Sequence, residues 1–223
     1  MNYVVFDTET TGLTRRQTPR NEPCSVLRVG SEVIQIGGLV LNESMVPTRA
    51  FCFYCDCLAP CSPEEAYQTH GISMSEVRKY ASDMFPGEIL HNFLPEFLAD
   101  DVVFIGYNVG FDISMLSQST LDFTDKFVDI PTVDMFMPTR GRHSLDVMSY
   151  FPKRLKLTQH TKSLGEKRKA FYEEYGGKLT IETNALPLLE EQMSHAHNAL
   201  FDSIETYLLF MDKVWKQKVF GGK

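Results

Sequence analysis

Three apolar runs separated by polar stretches fill the first quarter of this 223-residue chain. Residues 2–7 set Val4, Val5 and Phe6 side by side, which predicts a buried strand. Residues 32–41 (EVIQIGGLVL) and 50–57 (AFCFYCDC) predict two more strands, joined by a turn at residues 42–47. Three strands in succession suggest an antiparallel meander. Gly37 and Gly38 interrupt the second run and mark a bulge or a close packing contact, not a phosphate loop. After Pro63 the period lengthens: residues 64–69 open helical segments, and Ile89, Phe93, Phe97 and Leu98 give residues 89–99 a helical face. Residues 101–106 (DVVFIG) predict a fourth strand, residues 111–118 a helix, and residues 127–130 a short fifth strand. Residues 132–191 read as mostly helical and irregular. Asn198 can cap a closing helix whose apolar positions Leu200, Ile204, Leu208, Met211 and Trp215 recur every three or four residues. The pattern is α/β, with a mixed five-stranded sheet flanked by helices. Residues 1–223 are expected to form a single domain, expanded at about 132–191.

Composition narrows the class. A hydrophobic content of 43% supports one substantial core. No apolar run approaches the roughly 18 residues of a membrane span, and residues 1–6 lack the basic lead-in of a secretory signal. Five cysteines, an odd number, point to reduced thiols and a cytoplasmic setting. The net charge of −7 speaks at first against a nucleic-acid partner. Its distribution does not. Residues 14–30 carry Arg15, Arg16, Arg20 and Arg28 against Glu22. Residues 153–169 carry Lys153, Arg154, Lys156, Lys162, Lys167, Arg168 and Lys169 against Glu166, which leaves the rest strongly acidic. Basic segments on an acidic body suit an enzyme that grips a phosphate backbone while reserving carboxylates for metal. Two solvated loops are the plainer reading of each segment alone.

The carboxylates carry the chemistry. Asp7 and Glu9 lie two residues apart at the end of the first strand, so both side chains leave the same face. Two such groups repel each other, and a divalent cation removes the conflict. Asp112, in Gly106-Tyr107-Asn108-Val109-Gly110-Phe111-Asp112, follows a strand and opens a helix, at the carboxyl end of a sheet strand where ligands gather. In His197-Asn198-Ala199-Leu200-Phe201-Asp202, five helical steps would turn about 500°, leaving His197 and Asp202 roughly 140° apart. They converge only if His197 precedes the helix, which an Asn198 cap permits. A histidine there can act as general base toward an attacking water.

Taken together, these segments resemble the DEDD 3′→5′ exonuclease superfamily in its histidine branch, which includes the epsilon-type proofreading exonucleases. F-D-T-E-T-T-G-L (residues 6–13) is similar to the first motif of that group, N-V-G-F-D (108–112) to the second and H-N-A-L-F-D (197–202) to the third. The resemblance implies a ribonuclease H-like fold and hydrolysis of DNA from its 3′ end by two-metal catalysis, releasing nucleoside 5′-monophosphates. It implies that Asp7, Glu9, Asp112 and Asp202 hold two Mg²⁺ or Mn²⁺ ions and that His197 is the base. It further implies substrate contacts at Thr8, Thr10, Gly12, Leu13, Asn108 and, through His70-Gly71-Ile72, His70. Its partners would be a nucleic acid with a free 3′ end, single-stranded DNA above all, and a DNA polymerase. Tyr107 departs from the second motif, where His is common, and residues 14–31 and 153–190 are longer than usual.

Trimming of RNA 3′ ends remains an alternative, since the same centre serves either sugar. A non-catalytic binding module on the same fold is disfavoured by the presence of all five site residues. The chain's end soon after its last helix leans toward a freestanding enzyme or a truncated one. Cys52, Cys55, Cys57 and Cys61 invite a zinc reading, but their spacing lacks paired C-x₂-C knuckles, and packed thiols are expected. His195 is expected to be a loop residue, and nothing in the spacing of Asp134, His143 or Asp146 requires them at the site.

Overall fold

The structure, a computed structural model, describes residues 2–12, 31–58, 64–99, 101–119, 132–134, 162–185 and 197–215. Its centre is β1 (Asn2–Thr10), which pairs antiparallel with β2 (Val33–Leu41) on one side and parallel with β4 (Val102–Gly106) on the other. A strand flanked on both edges and covered on both faces has no solvent side, which explains the unbroken Val4-Val5-Phe6, all fully buried. β3 (Pro47–Tyr54) completes the predicted antiparallel meander, and β5 (Thr132–Asp134) adds in parallel beyond β4. The sheet is mixed and flanked by helices, as expected.

The differences are local. β1 runs three residues past its predicted end, through Asp7 and Glu9 to Thr10. The predicted strand at residues 127–130 lies outside the described residues. The stretch expected to be helical and irregular contains α5 (Lys162–Tyr175) and also β6 (Thr180–Thr183), which pairs in parallel with β3 and extends the five strands to six, in the order β5-β4-β1-β2-β3-β6. β6 is secured by Asn184, whose side chain accepts from the Tyr54 amide and donates to the Tyr54 carbonyl, both at 2.9 Å. The helix expected across residues 89–99 divides at Pro95 into α3 (Pro86–Phe93) and a 3₁₀ turn (Pro95–Leu98), since proline supplies no amide to continue the ladder.

The remaining helices are α1 (Glu64–His70), α2 (Met74–Ala81), α4 (Val109–Ser119) and α6 (Ala199–Phe210), the last running on into a π turn at Met211–Trp215. Strand alternation divides the core in two. Val5, Leu39 and Ile105 face Leu200, Phe201 and Ile204 of α6 and Phe171 of α5. Val4, Phe6 and Phe104 face Leu90 of α3, Phe97, and Met115 and Leu116 of α4. No helix among the described residues is long and apolar enough to cross a membrane.

Candidate active site

The length of β1 sets the site. Strand alternation sends Asp7 and Glu9 toward α6, while Thr8 faces α4. Across the pair with β2, Asp7 stands opposite Gly37 and Glu9 opposite Gln35. A Cβ on Gly37 would lie 2.2 Å from the Leu200 amide nitrogen and 2.5 Å from the Ala199 carbonyl carbon. Glycine therefore lets the first turn of α6 rest on the sheet beside Asp7, so the close-packing alternative for this pair of glycines is the one observed. Two side chains fasten that contact. Gln35, fully buried, accepts from the Ala199 amide at 3.0 Å, and Ser203 Oγ donates to the Gly37 carbonyl at 2.9 Å.

Docked in this way, α6 brings Asp202 to β1. Oxygens of Asp7, Glu9 and Asp202 all lie within 4.8 Å of one another, the one such group of potential metal ligands among the described residues. Asp112 approaches from the opposite layer. It opens α4, is buried, and its Oδ1 accepts from the Thr8 amide at 3.0 Å and the Thr8 hydroxyl at 2.7 Å. Thr8, expected as a substrate contact, thus holds a predicted ligand and commits its amide to it.

Asn198 is the cap of α6, its Oδ1 accepting from the Leu200 amide at 3.1 Å. His197 precedes the helix, with φ of 64°, a left-handed backbone uncommon outside glycine. The His197 amide donates to the Asp202 carboxylate.

The electrostatics are those of negative groups crowded out of water. Burial, then the charges of Asp112, Asp202 and Glu9, raises Asp7 well above the usual carboxylate range. Burial, then Asp202 and Asp112, does the same to Glu9. Asp202 is pushed up to about 7 by burial and by Glu205, against the opposing pull of Arg168. Three carboxylates that all resist ionisation, with oxygens converging on one point, form a donor set suited to a hard divalent cation.

Of the other predicted residues, Thr10, Gly12, Asn108 and His70 are described. Thr10 and Thr11 are buried at the end of β1, and Thr10 Oγ1 donates to the Gly12 carbonyl at 2.7 Å. Gly12 has φ of 150°, a region that favours glycine. Asn108, at φ of 64°, turns the chain from β4 into α4. His70 ends α1, and its Nδ1 accepts from the Ile72 amide at 3.0 Å. Burial is the main cause that lowers it to about 4. The Thr10 backbone acts in the opposite sense, and His197 pushes it further down. Leu13, His195, Cys61 and residues 14–30 lie outside the described residues. Cys52, Cys55 and Cys57 are all buried, but each belongs to a different packing cluster. The strand predicted over residues 50–57 ends at Tyr54, so Cys55 and Cys57 lie beyond it.

Three residues at the site escaped the sequence pattern. Gln35 is one; its Nε2 donor is buried and has no hydrogen-bond partner among the described residues. The others are Glu205, 2% exposed, and Arg168, which pairs with it at 3.3 Å and lies over the Phe201 ring at 5.3 Å. Arg168 belongs to a segment expected to face nucleic acid and instead turns toward α6. Its neighbour Lys167 lies 3.7 Å from Asp212.

Comparison with known proteins places the chain among exonucleases. The exonuclease family model RNase_T matches residues 4–210. The epsilon subunit of DNA polymerase III from Rickettsia conorii is 30% identical over 157 residues, covering 66% of this chain and 60% of that protein. Among solved structures, Escherichia coli exonuclease I in complex with a dT13 oligonucleotide is similar in fold, with a TM-score of 0.55 and 16% identity over 99% of this chain and 42% of that one. Exonuclease I from Methylocaldum szegediense gives 0.50 and 17% over 99% and 43%. The chain therefore spans less than two thirds of these relatives. The ribonuclease H-like fold, the acidic cluster and the match across nearly the whole chain identify it as a member of the RNase_T exonuclease family within the DEDD superfamily.

Proposed function

We propose that this protein hydrolyses single-stranded DNA from its 3′ end, with divalent cations, releasing nucleoside 5′-monophosphates. The observation that carries this is the convergence of Asp7, Glu9 and Asp202, with Asp112 held one residue away by Thr8. Mg²⁺ or Mn²⁺ ions held by these four carboxylates would supply the positive charge that stabilises a phosphodiester under attack. The remaining work falls to the chain. His197, which directly precedes α6 and is tethered to Asp202 through its amide, takes the proton of the attacking water, as in the histidine branch of the superfamily. Thr10, Gly12, Leu13, His70 and Asn108 bind the 3′-terminal nucleotide. DNA as substrate is supported by the names of the relatives, an epsilon subunit of DNA polymerase III and an exonuclease I bound to dT13. The former also supports a DNA polymerase as partner.

Digestion of 5′-labelled single-stranded DNA, duplex DNA and RNA, with Mg²⁺, Mn²⁺ or EDTA, tests the proposal. A ladder shortening from the 3′ end of single-stranded DNA, abolished by EDTA and by Asp7→Asn, is expected. No shortening of any substrate overturns the nuclease activity, and preferential shortening of RNA overturns the choice of DNA.

A further inference from the structure

Docking α6 uses only half of the Gln35 side chain. Gln35 lies on β2 with no exposed surface, and its Oε1 accepts from the Ala199 amide at 3.0 Å. An N–H in that place admits only the carbonyl arm, so the other arm must be the NH₂ group, a donor. That Nε2 is buried and has no hydrogen-bond partner among the described residues. An unmet buried donor costs about 1–3 kcal/mol, so its position calls for an acceptor. The strand register names one. Gln35 stands directly opposite Glu9, the last pair before the register shifts between Glu9 and Thr10. Directly opposed residues leave the same face of a sheet, with Cβ atoms about 4.5–5.5 Å apart. Here it is the α6 face, because Gln35 reaches Ala199 there and Glu9 reaches Asp202. Asp7 stands opposite Gly37, one step further along that face. Glu9 is a long, flexible side chain, and the negative charges of Asp202 and Asp112 press against it.

We propose that Gln35 is a positioning residue for the metal centre, its Nε2 donating to the Glu9 carboxylate when that carboxylate holds a divalent cation. This rests on the metal-dependent function proposed above. One side-chain amide then ties Glu9 on β1 to the first residue of α6, the helix that carries Asp202, and fixes the two ligands relative to each other. A hydrogen bond to an ionised carboxylate is stronger than one between neutral groups. A neutral donor also leaves the negative charge of the site intact, so it steadies Glu9 without competing with the cation, as a lysine or arginine would.

The test is Mn²⁺ binding by the whole chain without DNA, read by isothermal titration calorimetry. Gln35→Met keeps the length of the side chain and removes both arms. Ser203→Ala removes the other bond that fastens α6 to β2 and serves as the control for loosened docking. Gln35→Met is expected to raise the Mn²⁺ Kd about 10–100-fold, and Ser203→Ala to change it by about threefold or less. At saturating Mn²⁺ the KM of Gln35→Met for oligothymidylate should match wild type, with the loss confined to kcat. An unchanged Kd in Gln35→Met overturns the proposal, and so do equal changes in the two variants, which would mean that Gln35 acts through docking alone. A crystal structure of the Mn²⁺-loaded wild type tests the geometry without any variant. Its Gln35 Nε2 should lie within about 3.2 Å of a Glu9 carboxylate oxygen; an Nε2 bonded to another group, or to none, overturns the proposal. Wild-type protein that binds no Mn²⁺ overturns the metal-dependent function itself, a result separable from these because it appears before any variant is made.

Discussion

Replacing Asp202 with asparagine separates the charge of the site from its shape. The Asp202 carboxyl stands at about 7 against an ordinary 3.8, raised first by burial and then by the negative charge of Glu205. A folded-state value above the unfolded one means that the folded chain holds this proton more tightly. The stability it contributes is complete below about pH 4 and is lost as the pH rises through about 7. At about 1.4 kcal/mol per tenfold change in proton affinity, ionising this group costs the metal-free fold about 4 kcal/mol well above pH 7, of which roughly 2–3 kcal/mol accrues between pH 5 and pH 8. Asparagine keeps the size and one acceptor oxygen for the His197 amide, but has nothing to ionise.

Urea unfolding in EDTA at both pH values reads this difference. The stability of Asp202→Asn relative to wild type should increase by roughly 2–3 kcal/mol from pH 5 to pH 8. Asp7 and Glu9 also lose a repulsive neighbour, which changes the difference in the same direction. Mn²⁺ should reverse the advantage, since an ion at a hundredfold excess over its Kd stabilises the wild type by about 2.7 kcal/mol, while the variant has lost a ligand. A stability difference that is equal at the two pH values, or a variant less stable than wild type at pH 8 in EDTA, would refute the electrostatic account.

Further predictions concern how the site is held. Gly37→Ala should destabilise the protein by about 3 kcal/mol or more and reduce turnover, because the added methyl meets the α6 backbone at 2.2 Å, where no side chain can yield; wild-type melting and activity would contradict the docking contact. Arg168→Met should cost about 3–5 kcal/mol by leaving Glu205 buried without its cation, and Arg168→Met with Glu205→Leu should recover most of it. A double variant no more stable than the single one would show that the pair is not the cause. His197→Ala should lower kcat by about 10²–10⁴-fold while Mn²⁺ still raises the melting temperature; a loss of the metal response would instead make His197 part of the metal site.

The residues of the site were legible because each lies within a short local pattern: alternation for Asp7 and Glu9, a strand-to-helix turn for Asp112, a capped helix for His197 and Asp202. What brings them together was not. The bond from Gln35 to the Ala199 amide spans 164 residues, and no periodicity within either segment announces it. β6 is not legible because one of its four residues is exposed and three are half-buried, with Ile181 as the single apolar member, and its place depends on Asn184 and on an ion pair between Arg49 and Glu182. Arg168 reads as a surface cation because its neighbours in sequence are cations. Its position on α5 matters more, since Phe171, Tyr172 and Tyr175 follow it on the helix face that packs against the α6 core.

Thr8 shows where local reasoning stops. The alternation that sends Asp7 and Glu9 to one face must send Thr8 to the other, so a site built only on the α6 face would have no use for Thr8. The structure supplies one, because Asp112 arrives from the α4 layer and takes both the amide and the hydroxyl of Thr8. The acidic residues therefore meet around the end of β1, not on one side of it. This is why β1 extends past its apolar run to Thr10: the polar residues at its end are held in strand geometry by β2 on one edge and by the Asp112 carboxylate from the α4 layer.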